Sequence, residues 1–371
     1  MSFITRSGAY SSRRGGIVPP PVGIPYEYYT NLIPDQMIPY VMGAGAWGIQ
    51  EDLNAPAAPV ITNTVVVNND SEFAAASVSG NRIVLADNTT YGDQFLIGLT
   101  DIDIVAGANV TMGLINTVGS MSRLRIRNYM AGVTGTFLFD GVNAGSGGIE
   151  DLIVDGTLIR DTGIHGGDYL YRAAIVRCAM RAPGNLCDSL DTTDIVIAGC
   201  NVVGGSGWIV RAEHQYLRFN IFENDFRSTA NAQIRPGMNA TGQPASRGFW
   251  VDSNVLINST QWQAGSEGGI LRTSNSSGET VPIESVWCTN NRVHGSNFLN
   301  GSMECQPTNG RVNYVDFSGN RYISGDGTSP PEPAAGVGET YVYGSNTRVV
   351  IGAPDTALPA WGPAGDPTLI P

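Results

Sequence analysis

The sequence predicts an all-β protein: a right-handed parallel β-helix with an extended N-terminal arm and an irregular C-terminal tail. The first observation is a pattern that occurs three times between residues 170 and 226, in which short apolar runs are separated by a polar corner residue. Cys178, Asn201 and Asn224 hold matching places in it, 23 residues apart each time. Repetition at this length is typical of solenoids, and short strands without a helical stripe indicate one coil of a parallel β-helix per repeat.

The second observation is an Asn that stands directly before an outgoing apolar run, at Asn254, Asn291 and Asn320. Asn109 and Asp155 hold similar places upstream. Stacked Asn side chains can hydrogen-bond from one coil to the next, and Asn tolerates the left-handed backbone that a tight corner requires. The turns of a β-sandwich are also rich in Asn and Gly, but the regular 23-residue run favours the β-helix.

The third observation is the composition of the 371 residues, of which 47 are Gly and only 15% are charged. A net charge of −12 argues against a nucleic-acid partner and against adhesion to anionic membranes, because both require a basic surface. No apolar run is long enough to span a bilayer. Residues 1–6 contain no apolar stretch of the signal-peptide kind, so we expect no secretion signal.

Residues 1–59 are predicted to form an extended anchoring arm. A Gly/Pro-rich segment at residues 13–23 cannot pack a core by itself, and an aromatic and apolar run between prolines follows it. The arm carries side chains of the types enriched at protein interfaces, and the predicted partner-anchoring residues are Arg13, Arg14, Tyr26, Tyr28, Tyr29, Met37, Tyr40 and Trp47. The alternative, equally open at this point, is that this segment folds back and caps the end of the solenoid.

Residues 60–353 are predicted to form the β-helix, which opens with a strand, a short helical cap and a second strand. The residues concerned are 65–76 and 81–91, and here the chain resembles the pectate-lyase-like superfamily of right-handed parallel β-helices. The resemblance extends over about residues 60–350 and implies the fold. It implies no single function, because this fold serves lyases, hydrolases, phage tailspikes and structural proteins.

Three coils are predicted between residues 100 and 163, with strands at 102–106, 124–128 and 149–155 and with apolar side chains facing inward. Outward charges accompany them: Arg123, Arg125 and Arg127 on one coil, and Glu150, Asp151 and Asp155 near the next. Ion pairs between coils or a subunit contact would explain these charges. A solvated charged face is the interpretation that the sequence favours.

The last coil is predicted at residues 340–351, and residues 354–371 are predicted to form a Pro-rich C-terminal tail. The five Cys show no spacing typical of metal ligands. Cys178 and Cys200 fall near successive corners, and we expect both to be small buried hydrophobic residues.

The case for catalysis is thin. Asp188, Asp191 and Asp194 are the densest carboxylate cluster and are of the residue type that glycosidases use, but their context favours loop residues and strand-start caps. His165 and His214 are possible bases, although a lone His beside Gly is more often structural. The lyases that the chain resembles imply a Lys and Arg pair, and this chain has no Lys. We therefore assign no catalytic residue, no cofactor and no metal ligand.

These observations favour a structural bacteriophage virion protein, assembled in the host cytoplasm and released as part of a particle. The resemblance implies a homotrimer. The role that fits best is a capsid decoration or cement protein whose arm binds the major capsid (or tail) proteins. The alternative is a phage tailspike that binds or depolymerises host surface polysaccharide, and the third hypothesis is a polysaccharide lyase.

Overall fold

The computed structural model describes residues 56–128, 137–176, 178–181, 185–188, 191–198 and 200–203, and after residue 203 the strands given below together with residues 318–319. The predicted arm up to residue 55 and the predicted tail lie outside the described residues. Among the residues described, the fold is nearly all β, with a single short helix.

The elements follow one another as short strands. The chain begins with β1 (Asn63–Val67), helix α1 (Asp70–Ala76), β2 (Asn81–Leu85), β3 (Thr90–Tyr91), β4 (Gln94–Ile97), β5 (Thr100–Ala106), β6 (Val110–Val118), β7 (Met121–Arg127), β8 (Phe137–Ala144), β9 (Gly148–Asp155) and β10 (Leu158–His165). It continues with β11 (Tyr169–Val176), β12 (Ala179–Arg181), β13 (Asn185–Asp188), β14 (Asp191–Ala198), β15 (Asn201–Val203), β16 (Trp208–Val210), β17 (His214–Arg218), β18 (Ile221–Asn224) and β19 (Ile234–Pro236). It ends with β20 (Gly248–Asp252), β21 (Val255–Asn258), β22 (Leu271–Thr273), β23 (Ile283–Thr289), β24 (Arg292–Gly295), β25 (Met303–Cys305), β26 (Val312–Asp316), β27 (Arg321–Ser324), β28 (Thr340–Val342) and β29 (Thr347–Val350).

These strands stack as a parallel β-helix, which confirms the predicted fold class. Sheet A contains twelve strands in the order β1-β2-β5-β7-β9-β11-β14-β17-β20-β23-β26-β28, so each neighbour lies one coil further along the chain. The other strands stack in the same way as sheet B. A strand spacing of about 4.8 Å gives sheet A a length of about 53 Å along the solenoid axis.

The core is a set of apolar columns that run along the axis between the two sheets. In sheet A, Ile83, Ile104, Ile126, Val154 and Ile175 are paired in register on successive strands, and all five are fully buried. Side chains of a strand point alternately to its two faces, so this column is what the apolar alternation of the sequence produces. The predicted strands at 102–106, 124–128 and 149–155 are confirmed as parts of β5, β7 and β9.

Helix α1 closes the N-terminal end of the core, as the helical cap predicted from the sequence. Its N-cap is Asn69, whose side chain accepts the backbone N–H of Glu72 at 3.0 Å. The helix packs against β1, β2 and β4. Phe73 is fully buried beneath it, with its ring centroid 6.5 Å from that of Tyr91.

Corners of the solenoid use residues that accept a positive φ. Asn88 and Asn109 have φ of 53° and 55°, and the side-chain amide of Asn109 donates to Asn88 Oδ1 at 3.2 Å. This contact confirms that Asn side chains hydrogen-bond between coils. At another corner, Gly147 has φ of 96°, and a Cβ there would lie 2.5 Å from the carbonyl carbon of Gly119. Only glycine fits that position.

The predicted alignment of Cys178, Asn201 and Asn224 is wrong. Asn201 pairs with Ala179 on one side and with Ile221 on the other, and Asn224 pairs with Asn258. In this register Cys178 corresponds to Cys200, 22 residues later. The residues that directly precede the following paired strands in the sequence are Asn220, Asn254, Asn291, Asn320 and Asn346. Unequal loop lengths, which periodicity alone does not show, shift the true repeat by one and then by four residues.

Two cysteines directly precede the strands β12 and β15. Cys178 and Cys200 are free and buried, as predicted. The Thr157 hydroxyl lies 3.4 Å from Cys178 Sγ, one coil away. Cys178 Sγ donates to the carbonyl of Val176 at 3.3 Å, and Cys200 Sγ donates to that of Ile175 at 3.5 Å. The thiols therefore serve as weak donors inside the core.

Candidate functional site on the outer face of sheet A

Many side chains on the outer face of sheet A are buried, although strand alternation turns them away from the core. On the strands from β5 to β14 the outer side chains with at most 5% exposure are Asp103, Val105, Arg125, Asp151, Ile153, Asp155, Ala174, Val176, Asp194 and Val196. A solvated face was the favoured prediction for the charges here. It is wrong for the buried Arg125, Arg127, Asp151 and Asp155, whereas the side chains of Arg123 and Glu150 are 36% and 45% exposed. Charges that are buried need partners, and the structure supplies them from neighbouring coils.

Three arginines converge on the carboxylate of Asp103. Arg125 binds it through Nε and Nη2 at 2.9 and 3.0 Å, and Arg127 does so at 3.0 and 2.9 Å. From the preceding coil, Arg82 Nε donates at 2.7 Å. Parallel register causes this convergence, because Arg82, Asp103 and Arg125 are direct neighbours on β2, β5 and β7. The alternative of ion pairs between coils is thus confirmed, with a partner different from those expected.

The arginines determine the ionisation of Asp103. Burial alone would raise the pKa of this carboxyl group, but the hydrogen bonds and positive charges of Arg127 and Arg125 outweigh that effect. The net result holds the pKa of Asp103 well below its usual value, so the group stays ionised at any physiological pH. Two bidentate arginine contacts make this a fixed charge cluster.

Asp155 is the contrasting carboxyl group of this face. It lies opposite Arg127 in the next coil and is fully buried. Burial raises the pKa of Asp155 to about 7, and the positive charges of Arg127 and Arg125 offset only part of that shift. The arginines of one cluster therefore act on two carboxyl groups whose pKa values are shifted in opposite directions.

A second column of charges runs beside this cluster, and we call it the axial charge column. It consists of Asp101, Arg123, Asp151, Arg172 and Asp194 on the successive strands β5, β7, β9, β11 and β14. All five have φ between 52° and 62°. Non-glycine residues adopt this left-handed conformation uncommonly, so its recurrence on five strands marks a constant bulge in the sheet.

Acid and arginine alternate along the axial charge column. Arg123 binds Asp101 through Nε at 2.5 Å and Nη2 at 2.7 Å. Arg172 binds Asp151 at 2.6 and 3.0 Å and also contacts Glu150. The hydrogen bonds that Arg123 donates lower the pKa of Asp101, and the hydrogen bonds that Arg172 donates to Asp151 raise the pKa of Arg172. Glu150 and Asp151 thus pair with the following coil.

Residues 56–62 run along the axial charge column, across the strands. The backbone N–H of Val60 donates to Asp101 Oδ1 at 2.8 Å. The backbone N–H of Ala57 donates to Asp151 Oδ1 at 3.0 Å. These two carboxylates belong to β5 and β9, so the chain spans two strand spacings between residue 60 and residue 57. The acids of the column therefore bind the entering chain as well as the arginines.

The partner-anchoring residues predicted on the arm all lie outside the described residues: Arg13, Arg14, Tyr26, Tyr28, Tyr29, Met37, Tyr40 and Trp47. Their role stays a prediction. The described chain shows a smaller apolar surface that sequence reasoning did not single out. On β4 and β6 the side chains of Phe95, Ile97 and Val118 are 59%, 67% and 39% exposed, and Ile97 pairs directly with Val118.

The candidate catalytic residues do not form one cluster. Asp188 ends β13 in sheet B, whereas Asp191 begins β14 in sheet A as a strand-start residue. Asp194 lies inside β14 and belongs to the axial charge column, so its predicted role as a cap or loop residue is wrong. His165 pairs with Asp188 in sheet B, and His214 begins β17.

Sequence reasoning missed Arg82, Asp101, Asp103 and Arg172. A signal for them was present, because the charged partners stand 21 to 24 residues apart: Arg82 is 21 residues from Asp103, and Asp101 is 22 residues from Arg123. Opposite charges that recur at the length of one coil indicate pairs that stack along the axis.

Within the described part of the chain, no group of three or more His, Cys, Asp or Glu residues could hold a metal ion. No helix in that part is long and apolar enough to cross a membrane. In comparisons with protein-family models, curated proteins and solved structures, no significant match to this chain is found. The functional argument therefore depends on the geometry of the solenoid itself.

Proposed function

We propose that this chain is a structural protein of a bacteriophage virion, most specifically a trimeric capsid decoration or cement protein. In this proposal the β-helix is a stiff rod and the N-terminal arm binds the major capsid proteins. Assembly takes place in the host cytoplasm, and the protein leaves the cell as part of the particle. The proposed arm contacts are those of its arginine, tyrosine, methionine and tryptophan side chains between residues 13 and 47.

The observation that carries this proposal is that the charged groups of the outer face are bound to one another. Asp103 accepts five hydrogen bonds from three arginines. Asp101 and Asp151 bind both an arginine and the entering backbone. Groups fixed in this way hold coils together and are poorly placed to take up or release protons from a substrate. In a scaffold protein, charged groups bind neighbouring coils to one another. A glycosidase, in contrast, needs two carboxyl groups that are free to exchange protons.

The exposed apolar surface on the first coils also supports an assembly role. Phe95, Ile97 and Val118 lie together on the outside of sheet B at its N-terminal end. Exposed apolar side chains grouped in this way are typical of protein–protein contact sites. In the proposed particle this patch, which we call the β4–β6 patch, would lie against a neighbouring subunit.

The test is the copy number of this chain in particles purified from a culture that produces it, measured relative to the main shell protein by quantitative mass spectrometry. We expect a copy number approaching that of the shell protein. A small multiple of three would move the chain to the tail and favour the tailspike alternative. Absence from every particle fraction would refute the virion proposal.

One observation favours the second candidate, a tailspike that binds or cleaves host polysaccharide. A polar column faces outward on sheet B, where Asn116, Asn143 and His165 are paired in register on successive strands, and the backbone of His165 pairs in turn with that of Asp188. Asn143 donates to Asn116 at 3.3 Å, and the side chains up to His165 are half-buried. Phe95 precedes them in the same register. Amide and aromatic groups in a row can bind a sugar chain.

The polysaccharide alternative is tested with capsular polysaccharide of the host. If it holds, His165→Ala and Asp188→Asn each lower binding or oligosaccharide release at least tenfold, whereas Asp140→Asn on the same sheet has no effect. Equal behaviour of all three variants and the wild type would refute it. The lyase hypothesis predicts unsaturated-sugar absorbance with uronate polymers, and a flat trace across a broad panel would count against it.

A further inference from the structure

We propose that Cys178 and Cys200 form a redox modification site, at which a low-molecular-weight disulfide oxidises the two thiols to a disulfide bond between neighbouring coils. The structure holds both residues as thiols. The site lies at a corner of the solenoid, where each cysteine directly precedes a strand of sheet B. This inference depends on the contacts of these two residues and does not depend on the proposed virion function.

The first step is the register, which makes the two cysteines direct neighbours along the axis. Ala179 on β12 pairs with Asn201 on β15, and each cysteine stands one position before its strand. Neighbouring strands lie about 4.8 Å apart. Cysteines that form a disulfide have Cα atoms about 4.4 to 6.8 Å apart. The spacing of the coils therefore suits a bond between these two residues.

The second step is the direction of the two side chains. Cys178 Sγ lies 3.6 Å from the carbonyl oxygen of Val154, and Cys200 Sγ lies 3.5 Å from that of Ile175. Val154 and Ile175 are paired in register on β9 and β11, so the two sulfurs hold equivalent places on successive coils. The two thiols are also hydrogen-bonded to each other. Bond formation therefore joins two groups that are already in contact.

The third step is the choice of partner. In the column of corner residues Thr157 holds the corresponding place one coil earlier, and its hydroxyl lies 3.4 Å from Cys178 Sγ. Asn220 holds that place one coil later. Cys187 is only nine residues from Cys178 in the sequence, but it lies within β13 and not at this corner. A short loop favours Cys187 as the partner in the unfolded chain, whereas the fold favours Cys200.

The reaction is a thiol–disulfide exchange in two steps. The Cys178 thiolate attacks one sulfur of the small disulfide and releases one small thiolate, and the Cys200 thiolate then attacks Cys178 Sγ and releases the second. The protein loses two electrons, the small disulfide gains them, and the two cysteine protons end on the two released thiolates.

The surroundings of the two sulfurs decide the order and the occasion of the attack. Burial alone would raise the pKa of Cys178, but hydrogen bonds with Cys200 and Thr157 outweigh that effect, which suits Cys178 to the first attack. Burial raises the pKa of Cys200 well above its ordinary value, which suits this thiol to the second step. Both sulfurs are buried, so the small disulfide reaches them when the coil opens locally.

The first test is oxidation of the wild-type chain with oxidised glutathione, both below the urea transition and in fully unfolding urea. Remaining thiols are alkylated, and the protein is digested without reduction for mass spectrometry. We expect the ratio of the Cys178–Cys200 link to the Cys178–Cys187 link to be at least tenfold higher in the folded chain. Equal ratios would overturn the proposal. So would recovery of Cys178 and Cys200 from the folded chain only as thiols or glutathione adducts.

The second test measures the effect of the bond on the rod with a matched pair of variants. The bond closes one coil and restricts the unfolded chain, so oxidation should raise the urea midpoint of the wild type. We expect Cys187→Ala to keep this rise and Cys200→Ala to lose it. A rise that persists in Cys200→Ala would show that other cysteines carry the bond and would overturn the assignment. If a variant does not fold, the link measured in the wild type decides.

Discussion

At the scale of single residues, the carboxylate of Asp103 is the group on which the outer face of sheet A depends most. Removing one member of a buried ion pair leaves an uncompensated charge in a site of low polarity, which costs far more than the pair itself contributes. Arg125 and Arg127 have side chains that are only 3% and 8% exposed, and each binds Asp103 through two of its nitrogens. Loss of this acid therefore removes four hydrogen bonds from two buried guanidinium groups.

We predict that Asp103→Asn lowers the free energy of unfolding by about 3 to 5 kcal/mol at pH 7. The control is Asp140→Asn, because the Asp140–Arg160 pair has side chains that are 25% and 47% exposed, and we expect a change of about 1 kcal/mol or less. Urea denaturation of both variants measures the difference. Similar losses in the two variants would contradict the assigned role of Asp103.

Asp103 and Asp155 affect stability at different pH values, because their pKa values are shifted in opposite directions. The lowered pKa of Asp103 gives a contribution that is present above the ordinary carboxyl pKa of about 4 and is lost as pH falls. The raised pKa of Asp155 gives a contribution that is present below about 4 and is lost as pH rises through about 7. Between these limits the folded state binds more protons at Asp155 than the unfolded state does.

We predict that Asp155→Asn becomes progressively more stable than the wild type as pH rises from 5 to 8. Asn keeps the size of the side chain without the buried charge, and one pKa unit corresponds to about 1.4 kcal/mol, so the gain over this range is about 2 to 3 kcal/mol. The measurement is the urea midpoint of both proteins at pH 5 and at pH 8. Parallel pH profiles would mean that Asp155 does not titrate in this range.

At the scale of elements, α1 is a seven-residue helix that could not persist alone, because isolated helices of this length are unstable in water. Its function is to cover the open end of the core. Phe73 carries most of that cover, and Tyr91 beneath it donates to the carbonyl of Val67 at 2.6 Å. Solenoids need such caps because each coil otherwise buries only the faces that meet its neighbours.

We predict that Phe73→Ala costs about 3 to 5 kcal/mol and that the loss is greatest in the first coils. Hydrogen exchange of β1 and β2 should accelerate more than that of β9 and β11, because each coil is stabilised by its neighbours. The exposed Ala75→Ser on the same helix is the control and should leave exchange unchanged. Equal acceleration in all strands would show that the cap stabilises the solenoid as a single unit.

How far the sequence could predict the structure is also clearest at the level of elements. Apolar alternation correctly predicted β5, β7 and β9, and the strands expected after Asn254 and Asn291 are present as β21 and β24. Equal spacing failed for Asn201, since loop lengths vary between coils and only the hydrogen-bonded register shows which residues are equivalent. The burial of the ion pairs was not predicted, because alternation predicts which way a side chain points, and an outward side chain is expected to meet water.

At the scale of the whole molecule, the sequence and the structure lead to different divisions of the arm. Composition placed its end at residue 59, because Pro and Gly are frequent up to that point. The contacts of Ala57 and Val60 show that the last residues of that segment are bound to the solenoid. Residues 56–62 belong to no strand and no helix, so the patterns used to recognise secondary structure do not reveal that they pack against the solenoid.

We predict that two truncations separate the proposed functions of the arm. A chain that begins at residue 46 keeps the contacts of Ala57 and Val60, so it should unfold at the same urea concentration as the full chain and yet lose binding to particles. A chain that begins at residue 63 also lacks the backbone donors of Ala57 and Val60, so it should be less stable by about 3 to 6 kcal/mol, since each hydrogen bond to a charged group contributes about 1.5 to 3 kcal/mol. If the shorter deletion already lowers stability, residues 1–45 stabilise the rod itself; if it leaves particle binding intact, the arm is not the anchor, and the β4–β6 patch becomes the surface to mutate.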